Sequence, residues 1–170
     1  GDLDVLATLD FDDTVLWYEN TDGLGTFDYW QVITTVANGA LSAFAADLDG
    51  DGDLDVLSAS KLDSKIAFYE NTDGLGSFGP QQIISTDMDR PASVSARDLD
   101  GDGDLDVLSA SSGDDKIAWY ENTGGLGQFG AQQVITVAAD GAKSVITADL
   151  DGDGDFDVLS VSPDDDKIAW

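Results

Sequence analysis

An acidic decapeptide occurs three times in the chain and offers the oxygen atoms that a hard metal ion binds. Its sequence is Asp-Leu-Asp-Gly-Asp-Gly-Asp-(Leu/Phe)-Asp-Val, and the copies occupy residues 47–56, 98–107 and 149–158. Five carboxylates in nine positions repel one another in a folded loop unless a cation lies among them. The spacing therefore predicts one cation site in each copy.

Calcium is the cation that this loop favours, because it takes about six to eight oxygen ligands and loses water more readily than magnesium. We expect carboxylate ligands from positions 1, 3, 5 and 9 and a backbone carbonyl from position 7, whose side chain would point outward. Gly50 and Gly52 allow a tight wrap, and Leu54 is expected to face the core. The predicted metal-binding residues are Asp47, Asp49, Asp51, Asp53 and Asp55 in the first copy, Asp98, Asp100, Asp102, Asp104 and Asp106 in the second, and Asp149, Asp151, Asp153, Asp155 and Asp157 in the third.

The alternative interpretation of the loop is an acidic turn that only keeps the chain soluble. Three copies with fixed glycines exceed what solubility requires. A shortened copy at residues 1–5 keeps only Asp4 from position 9 and Asp2 from position 7, so its site is incomplete. About one calcium ion per complete repeat, three in this chain, is the expected stoichiometry.

The copies begin 51 residues apart, and the whole chain aligns with itself at that period without a gap. Such a period is typical of solenoids, propellers or arrays. Within each repeat we predict four short strands, as at 41–46, 54–60, 65–71 and 81–85, with the acidic loop between the first two. The third strand carries large or apolar residues on both faces, which favours blades covered by neighbours over a sheet with one wet face.

The acidic loop, the Tyr-Glu-Asn-Thr stretch at 69–72 and the Gly-Leu-Gly-x-Phe turn at 74–78 together resemble the FG-GAP or VCBS repeats. Those repeats form the calcium-binding blades of integrin α-subunit-like propellers. The resemblance implies an all-β, β-propeller-type fold of four-stranded blades with calcium in the loop between the first and second strands.

We divide residues 1–170, about 3.3 repeats, into one repeat domain with a partial blade at 1–39 (strands two to four), whole blades at 40–90 and 91–141, and a partial blade at 142–170 (strands one to three). A ring is therefore expected to be incomplete within this chain. Either the chain is part of a longer propeller or several copies complete one another, by strand addition at the partial blades.

Composition narrows the classes of function. The formal charge of −28 argues against nucleic acid and against insertion into a membrane. The chain contains neither histidine nor cysteine, and no nucleophile motif accompanies its carboxylates, so we do not expect an enzyme. No apolar run approaches the ~20 residues that span a bilayer.

Aromatic residues and acidic turns are the remaining candidates for function. The equivalent residues Trp17, Phe68, Trp119 and Trp170, with the tyrosines beside the first three, are expected in the core between blades; sugar stacking is the alternative. Tyr29 and Trp30 occur in the first repeat only, which makes them better candidates for a contact surface. The acidic turns at 12–13, 114–115 and 164–166 are interpreted as solvated turns or, alternatively, weak secondary cation sites.

The sequence thus predicts a calcium-stabilised extracellular propeller module, secreted or on the cell surface, that acts in binding, adhesion or structural assembly. Its partner would be a protein, a glycan or further copies of itself. A carbohydrate-binding propeller and a self-assembling ring or filament are the alternatives.

Overall fold

The computed structural model describes residues 2–170 as a series of antiparallel β-sheets joined in chain order. The first blade contains β1 (Val5–Leu9), β2 (Thr14–Tyr18) and β3 (Trp30–Thr34). The second contains β4 (Ala40–Ala46), β5 (Asp55–Ser60), β6 (Lys65–Tyr69) and β7 (Gln82–Ser85). The third contains β8 (Pro91–Arg97), β9 (Asp106–Ser111), β10 (Lys116–Tyr120) and β11 (Gln133–Thr136). The fourth contains β12 (Ser144–Ala148), β13 (Asp157–Ser162) and β14 (Lys167–Ala169).

This architecture confirms the predicted all-β fold of repeated antiparallel blades, four-stranded where the repeat is whole. The register repeats as well, because Val56 pairs with Tyr69 and Val107 pairs with Tyr120. Short 3₁₀ turns at Asp10–Asp12 and Pro163–Asp165 are the helical elements of the described residues. Within residues 2–170 no helix is long and apolar enough to cross a bilayer.

The core lies between successive blades, which explains why the central strands have apolar residues on both faces. Every residue of β5 and of β9 is buried. Between the second and third blades, Leu57 and Phe68 pack with Val107 and Tyr120 in one cluster. Burial of this apolar surface is the main force that holds one blade on the next.

The first strands of neighbouring blades are also linked by hydrogen bonds. The backbone N–H of Val94 in β8 donates to Ser42 Oγ in β4 (3.3 Å). The backbone N–H of Val145 in β12 donates to Ser93 Oγ in β8 in the same way (3.3 Å). Small hydroxyl side chains at one position of the repeat therefore satisfy backbone groups of the next blade.

The first junction between blades is less well filled than the second, and this corrects the prediction for Leu54. Leu48, from the acidic loop of the second blade, is only 1% exposed in the core between the second and third blades. The first junction instead contains a cavity of about 520 Å³. Leu54 lines that cavity and is 59% exposed, so the expectation that it faces the core is wrong. Its counterpart in the next repeat, Leu105, does pack on the core, in the same cluster as Leu48.

The aromatic residues divide into two groups. Phe68, Tyr69 and Tyr120 are buried, as expected for residues between blades. Trp17, Tyr18 and Trp119 are only partly buried, and Trp170 is 75% exposed, so for Trp170 the expectation of a core position is wrong. Tyr29 and Trp30 are 73% and 58% exposed, at the start of the outer strand of the first blade. The aromatic pair that occurs once in the sequence is thus on the surface.

Candidate metal centre

Each acidic decapeptide forms the loop between the first and second strands of a blade, as predicted. The loops join β4 to β5, β8 to β9 and β12 to β13. In the first of them, Gly50 and Gly52 have φ angles of 75° and 98°, a conformation that favours glycine. These two residues allow the chain to turn its carboxylates inward.

The carboxylates of positions 1, 3 and 9 converge in all three loops. Within each group one oxygen from every residue lies within 4.8 Å of the others. The three triads are Asp47, Asp49 and Asp55; Asp98, Asp100 and Asp106; and Asp149, Asp151 and Asp157. Nine of the fifteen predicted residues are therefore brought together as ligand triads, one in each repeat.

The residues at positions 5 and 7 lie outside these triads. Asp51 Oδ1 accepts a hydrogen bond from the backbone N–H of Asp53 (2.9 Å), which orders the loop. The Asp53 carboxylate does not point outward but lies against Gly74 in the turn that follows the third strand. The same placement holds for Asp102 and Asp104 in the next copy. In the third copy, Asp153 Oδ1 likewise accepts from the N–H of Asp155 (2.9 Å).

Hydrogen bonds from the loop backbone hold the first ligand in place. Both oxygens of Asp47 accept, from the N–H of Gly50 (2.9 Å) and of Gly52 (3.1 Å). Asp98 and Asp149 make the equivalent pairs of bonds. The loop is therefore preorganised around position 1.

The last ligand of each whole blade is buried and joins the loop to the third strand. Asp55 is 0% exposed and accepts from the N–H of Leu48 (3.0 Å) and of Asn71 (2.8 Å). Asp106 is 1% exposed and accepts from Leu99 and Asn122 in the same way. This carboxylate is therefore a member of the triad and also holds the loop to the end of the third strand.

Burial raises the pKa of Asp55 and Asp106 above the ordinary value of 3.8, and the neighbouring loop aspartates raise it further by like-charge repulsion. Burial is also the main cause of the raised pKa of Asp49. The ionised triads are therefore destabilising without a counter-ion. Three carboxylates with no nitrogen or sulfur donor form an oxygen set that fits a hard divalent cation.

These shifts predict opposite effects of pH with and without calcium. A folded-state pKa above the unfolded value means that the folded chain holds more protons between the two values. In calcium-free buffer we therefore expect the melting temperature to rise as pH falls from 7 toward 4.5. With millimolar calcium it should fall over the same range, because protons compete with the ion for the carboxylates.

Thermal unfolding by circular dichroism at several pH values measures both slopes. Asp106→Asn should make the calcium-free slope shallower than that of the unaltered chain. Two slopes of the same sign, unaffected by this variant, would contradict the assignment of the shifts to the triads. The lowered pKa values of Asp22, Asp73, Asp114 and Asp165 do not interfere, since their contribution is lost only as pH falls below about 3.8.

The acidic turns before the third strands are occupied by protein partners. The carboxylates of Asp63 and Asp165 pair with Lys65 (2.9 Å) and Lys167 (2.7 Å). Asp114 pairs with Lys116 in the same manner (2.7 Å). Asp114 and Asp165 are thus paired within the protein rather than only solvated as predicted, and lysines rather than a cation neutralise them.

No role was predicted for the asparagines that follow the third strands. Asn71 donates from Nδ2 to the carbonyl of Leu54 (3.3 Å), and its Oδ1 accepts from the N–H of Gly76 (3.1 Å). It therefore links the end of the acidic loop to the glycine turn. Its signal in the sequence was recurrence at one position of the repeat, as Asn20, Asn71 and Asn122.

Comparison with solved structures finds the same fold in part of a longer chain. That chain is a lectin from Agrocybe aegerita, described as specifically recognising non-reducing terminal N-acetylglucosamine, with a TM-score of 0.59 and 21% identity. The match covers 93% of this chain and 46% of the lectin chain. A second match is the V. cholerae biofilm matrix protein Bap1, with a TM-score of 0.49 and 22% identity, over 99% of this chain and 27% of that one. This chain therefore spans less than half the length of either.

Comparison with curated proteins gives no match to the chain. A family model for the FG-GAP-like repeat, however, matches three overlapping segments, residues 1–58, 47–109 and 98–160. Each segment contains one or two of the acidic loops that hold the triads. The chain belongs to the FG-GAP-like repeat family.

Proposed function

We propose that this chain is a calcium-stabilised, extracellular β-propeller module that acts in binding, adhesion or structural assembly. The observation that carries the proposal is the recurrence of one carboxylate triad in every loop between first and second strands. With 35 acidic against 7 basic residues, the chain has too few lysines and arginines to neutralise these loops itself. Free calcium is plentiful outside cells, where weak sites of this kind are filled.

The position of the triads supports a structural rather than a catalytic role for the ion. In each whole blade the triad ties the start of the loop to the second strand through a buried carboxylate, and the sequence contains no histidine or cysteine. Calcium would neutralise the triad and fix the loop, so that the surfaces between and around the blades keep their shape. Those surfaces would contact the partner.

A glycan is the first alternative partner. The Agrocybe aegerita lectin shares the fold, although at an identity that speaks for the fold alone. On this chain the exposed pair Tyr29 and Trp30 offers aromatic faces of the kind on which sugar rings stack. Glycan binding would accordingly depend on this pair and not on the buried aromatic residues.

Self-assembly is the second alternative. Leu48 is buried between the second and third blades, and Leu150, the same loop position in the fourth blade, is 46% exposed. In such an assembly, a leucine from another copy would occupy the cavity at the first junction, which Trp17, Val56 and Phe78 line together with Asp2, Asp4 and Glu19. Copies would then stack as the blades do within one chain, in a ring or filament, with strand addition at the partial blades.

Glycan-array binding and sedimentation velocity, each in millimolar calcium and in EDTA, test the proposal. We expect binding to a glycan or formation of a defined oligomer in calcium, and loss of either in EDTA. Tyr29→Ala should abolish glycan binding, and Leu150→Asp should abolish formation of the oligomer. Leu62→Asp is the control, because Leu62 is an exposed leucine of the second blade. A monomer that binds nothing on the array leaves a protein ligand, to be sought by calcium-dependent cross-linking to cell surfaces; failure there as well would overturn the proposal.

A further inference from the structure

A second, smaller cavity lies where the acidic loop of the second blade meets the third blade. Its volume is about 170 Å³, enough for several water molecules or a hydrated ion. The carboxylate residues Asp47 and Asp104 both line it, together with Asn122, and no lysine or arginine does. The cavity therefore joins acidic groups from two different blades, in a region where the blades are in contact.

The unsatisfied amide oxygen of Asn122 indicates that the cavity holds a ligand. Asn122 is 1% exposed, and its Oδ1 is buried without a hydrogen-bond partner. The orientation of the amide is fixed, because Nδ2 donates to the carbonyls of Leu48 (2.7 Å) and Leu105 (3.2 Å). Exchanging the two ends would place the amide oxygen against two carbonyl oxygens, which would repel it. A buried acceptor in this position calls for a donor or a cation.

The equivalent asparagines of the preceding repeats show why this oxygen is free. In those repeats Oδ1 accepts from a glycine of its own turn, Gly25 for Asn20 (2.9 Å) and Gly76 for Asn71 (3.1 Å). In the third blade the corresponding glycine, Gly127, donates instead to the carbonyl of Leu48 in the neighbouring blade (3.1 Å). Docking of the loop thus removes the donor that the asparagine uses elsewhere.

The sequence of the third repeat favours this rearranged turn. Asp22 and Asp73 hold the turns of the first two repeats through their Oδ1 atoms. The third repeat has Gly124 at that position, with a φ of 99°, so this restraint is absent. A close approach of glycines completes the contact, since a methyl group on Gly50 would lie 3.1 Å from the carbonyl oxygen of Gly125.

We propose that this cavity is a second type of divalent-cation site, which bridges the second and third blades and is distinct from the loop triads. The Asp104 carboxylate and Asn122 Oδ1 would supply ligands from the third blade, and Asp47 would contribute charge from the second. Water would complete the coordination, as it does where a cation has few protein ligands. Calcium is the probe, since its coordination accepts carboxylate, amide and carbonyl oxygens together.

Among the described residues, the second junction brings Asp47, Asp104 and Asn122 together around one cavity. We therefore expect one bridging ion in addition to those held by the three triads. Counting ions distinguishes the two kinds of site.

Native mass spectrometry of the purified chain in calcium is the test, with Asp104→Asn as the variant. The change alters only the side chain of Asp104, so the triad carboxylates and the backbone carbonyl predicted to bind the loop ion both stay in place. We expect four bound calcium ions in the unaltered chain and three in Asp104→Asn. Asp2→Asn is the matched control, because Asp2 lies against Gly23 as Asp104 lies against Gly125 but does not line this cavity; it should keep four.

Equal ion counts in the unaltered chain and in Asp104→Asn would overturn the proposal. A crystal structure in calcium with anomalous scattering is an independent test of the same site: a peak in the cavity supports it, whereas ordered water alone overturns it. Melting curves confirm that each variant is folded. The number of calcium ions bound by Asp104→Asn reports on the triads. The difference between that number and the number bound by the unaltered chain reports on the cavity, so this inference and the proposed function can fail separately.

Discussion

Removal of calcium should lower the melting temperature of this chain by on the order of 10 °C or more. Each filled site stabilises the folded state by about 2.7 kcal/mol when free calcium is one hundred times its dissociation constant. For a chain of this size about 1 kcal/mol corresponds to roughly 2–4 °C. Three triads in separate loops therefore add up to a large effect, which thermal unfolding in EDTA and in millimolar calcium measures directly.

The physical reason is the charge that the triads leave uncompensated. Burial and like-charge repulsion already raise the pKa of the buried ligand Asp106, so its ionised form is unfavourable in the empty loop. Bound calcium would reverse this by placing two positive charges among three carboxylates. Magnesium at the same concentration should restore less of the lost stability, because it gives up its water reluctantly.

A matched pair of variants locates the effect in the second loop. Asp100 belongs to a triad, whereas Asp102 lies outside it and accepts a hydrogen bond from the N–H of Asp104 (2.9 Å). Asp100→Asn and Asp102→Asn remove one charge each and keep an oxygen acceptor. Asp100→Asn should reduce the calcium-dependent gain in melting temperature by about a third, and Asp102→Asn by much less. Equal losses of the calcium-dependent gain in the two variants would show that position 5 is also a ligand. No loss in either variant would show that calcium does not stabilise the chain through this loop.

The sequence was sufficient to predict the repeat, the strands and the place of the acidic loop. Those features follow from local chemistry: apolar residues on both faces of the central strands require neighbouring blades, and Gly50 and Gly52 require a tight turn. The period of 51 residues then fixes the rest by repetition. Family resemblance and physical argument agree at this level because the same residues carry both.

The burial of individual loop residues and their hydrogen-bond partners were harder to predict. These features depend on contacts between blades, which the sequence of a single repeat does not specify. Position 5 was assigned as a ligand from its spacing; its Oδ1 accepts from the loop backbone, as oxygens of positions 1 and 9 also do, so the assignment stays a prediction. Leu54 was expected to face the core, away from the loop carboxylates, and to anchor the loop to the second strand. Whether such a leucine is covered depends on the loop of the preceding blade. For the same reason Asn122 differs from Asn71 although the flanking sequences are almost identical.

Truncation of the loop leucines should reveal this dependence on neighbours as a graded loss of stability. Leu48→Ala is expected to lower the free energy of unfolding by about 2–5 kcal/mol, the usual range for a fully buried leucine. Leu48 is 1% exposed between two blades, and its carbonyl also accepts hydrogen bonds from Asn122 (2.7 Å) and Gly127 (3.1 Å). Chemical denaturation in millimolar calcium measures the change, with the triads filled so that metal binding does not vary.

Leu99 and Leu150 occupy the same loop position and serve as internal controls for this prediction. Leu99 is partly buried against the core between the third and fourth blades, and Leu150 is 46% exposed. Leu99→Ala should therefore have an intermediate effect, and Leu150→Ala should change stability by less than about 1 kcal/mol. Three equal losses would mean that the leucine stabilises its own loop and not the junction. A graded series would instead show that each blade is completed by the loop of the one before it, so that stability is distributed over contacts between neighbours.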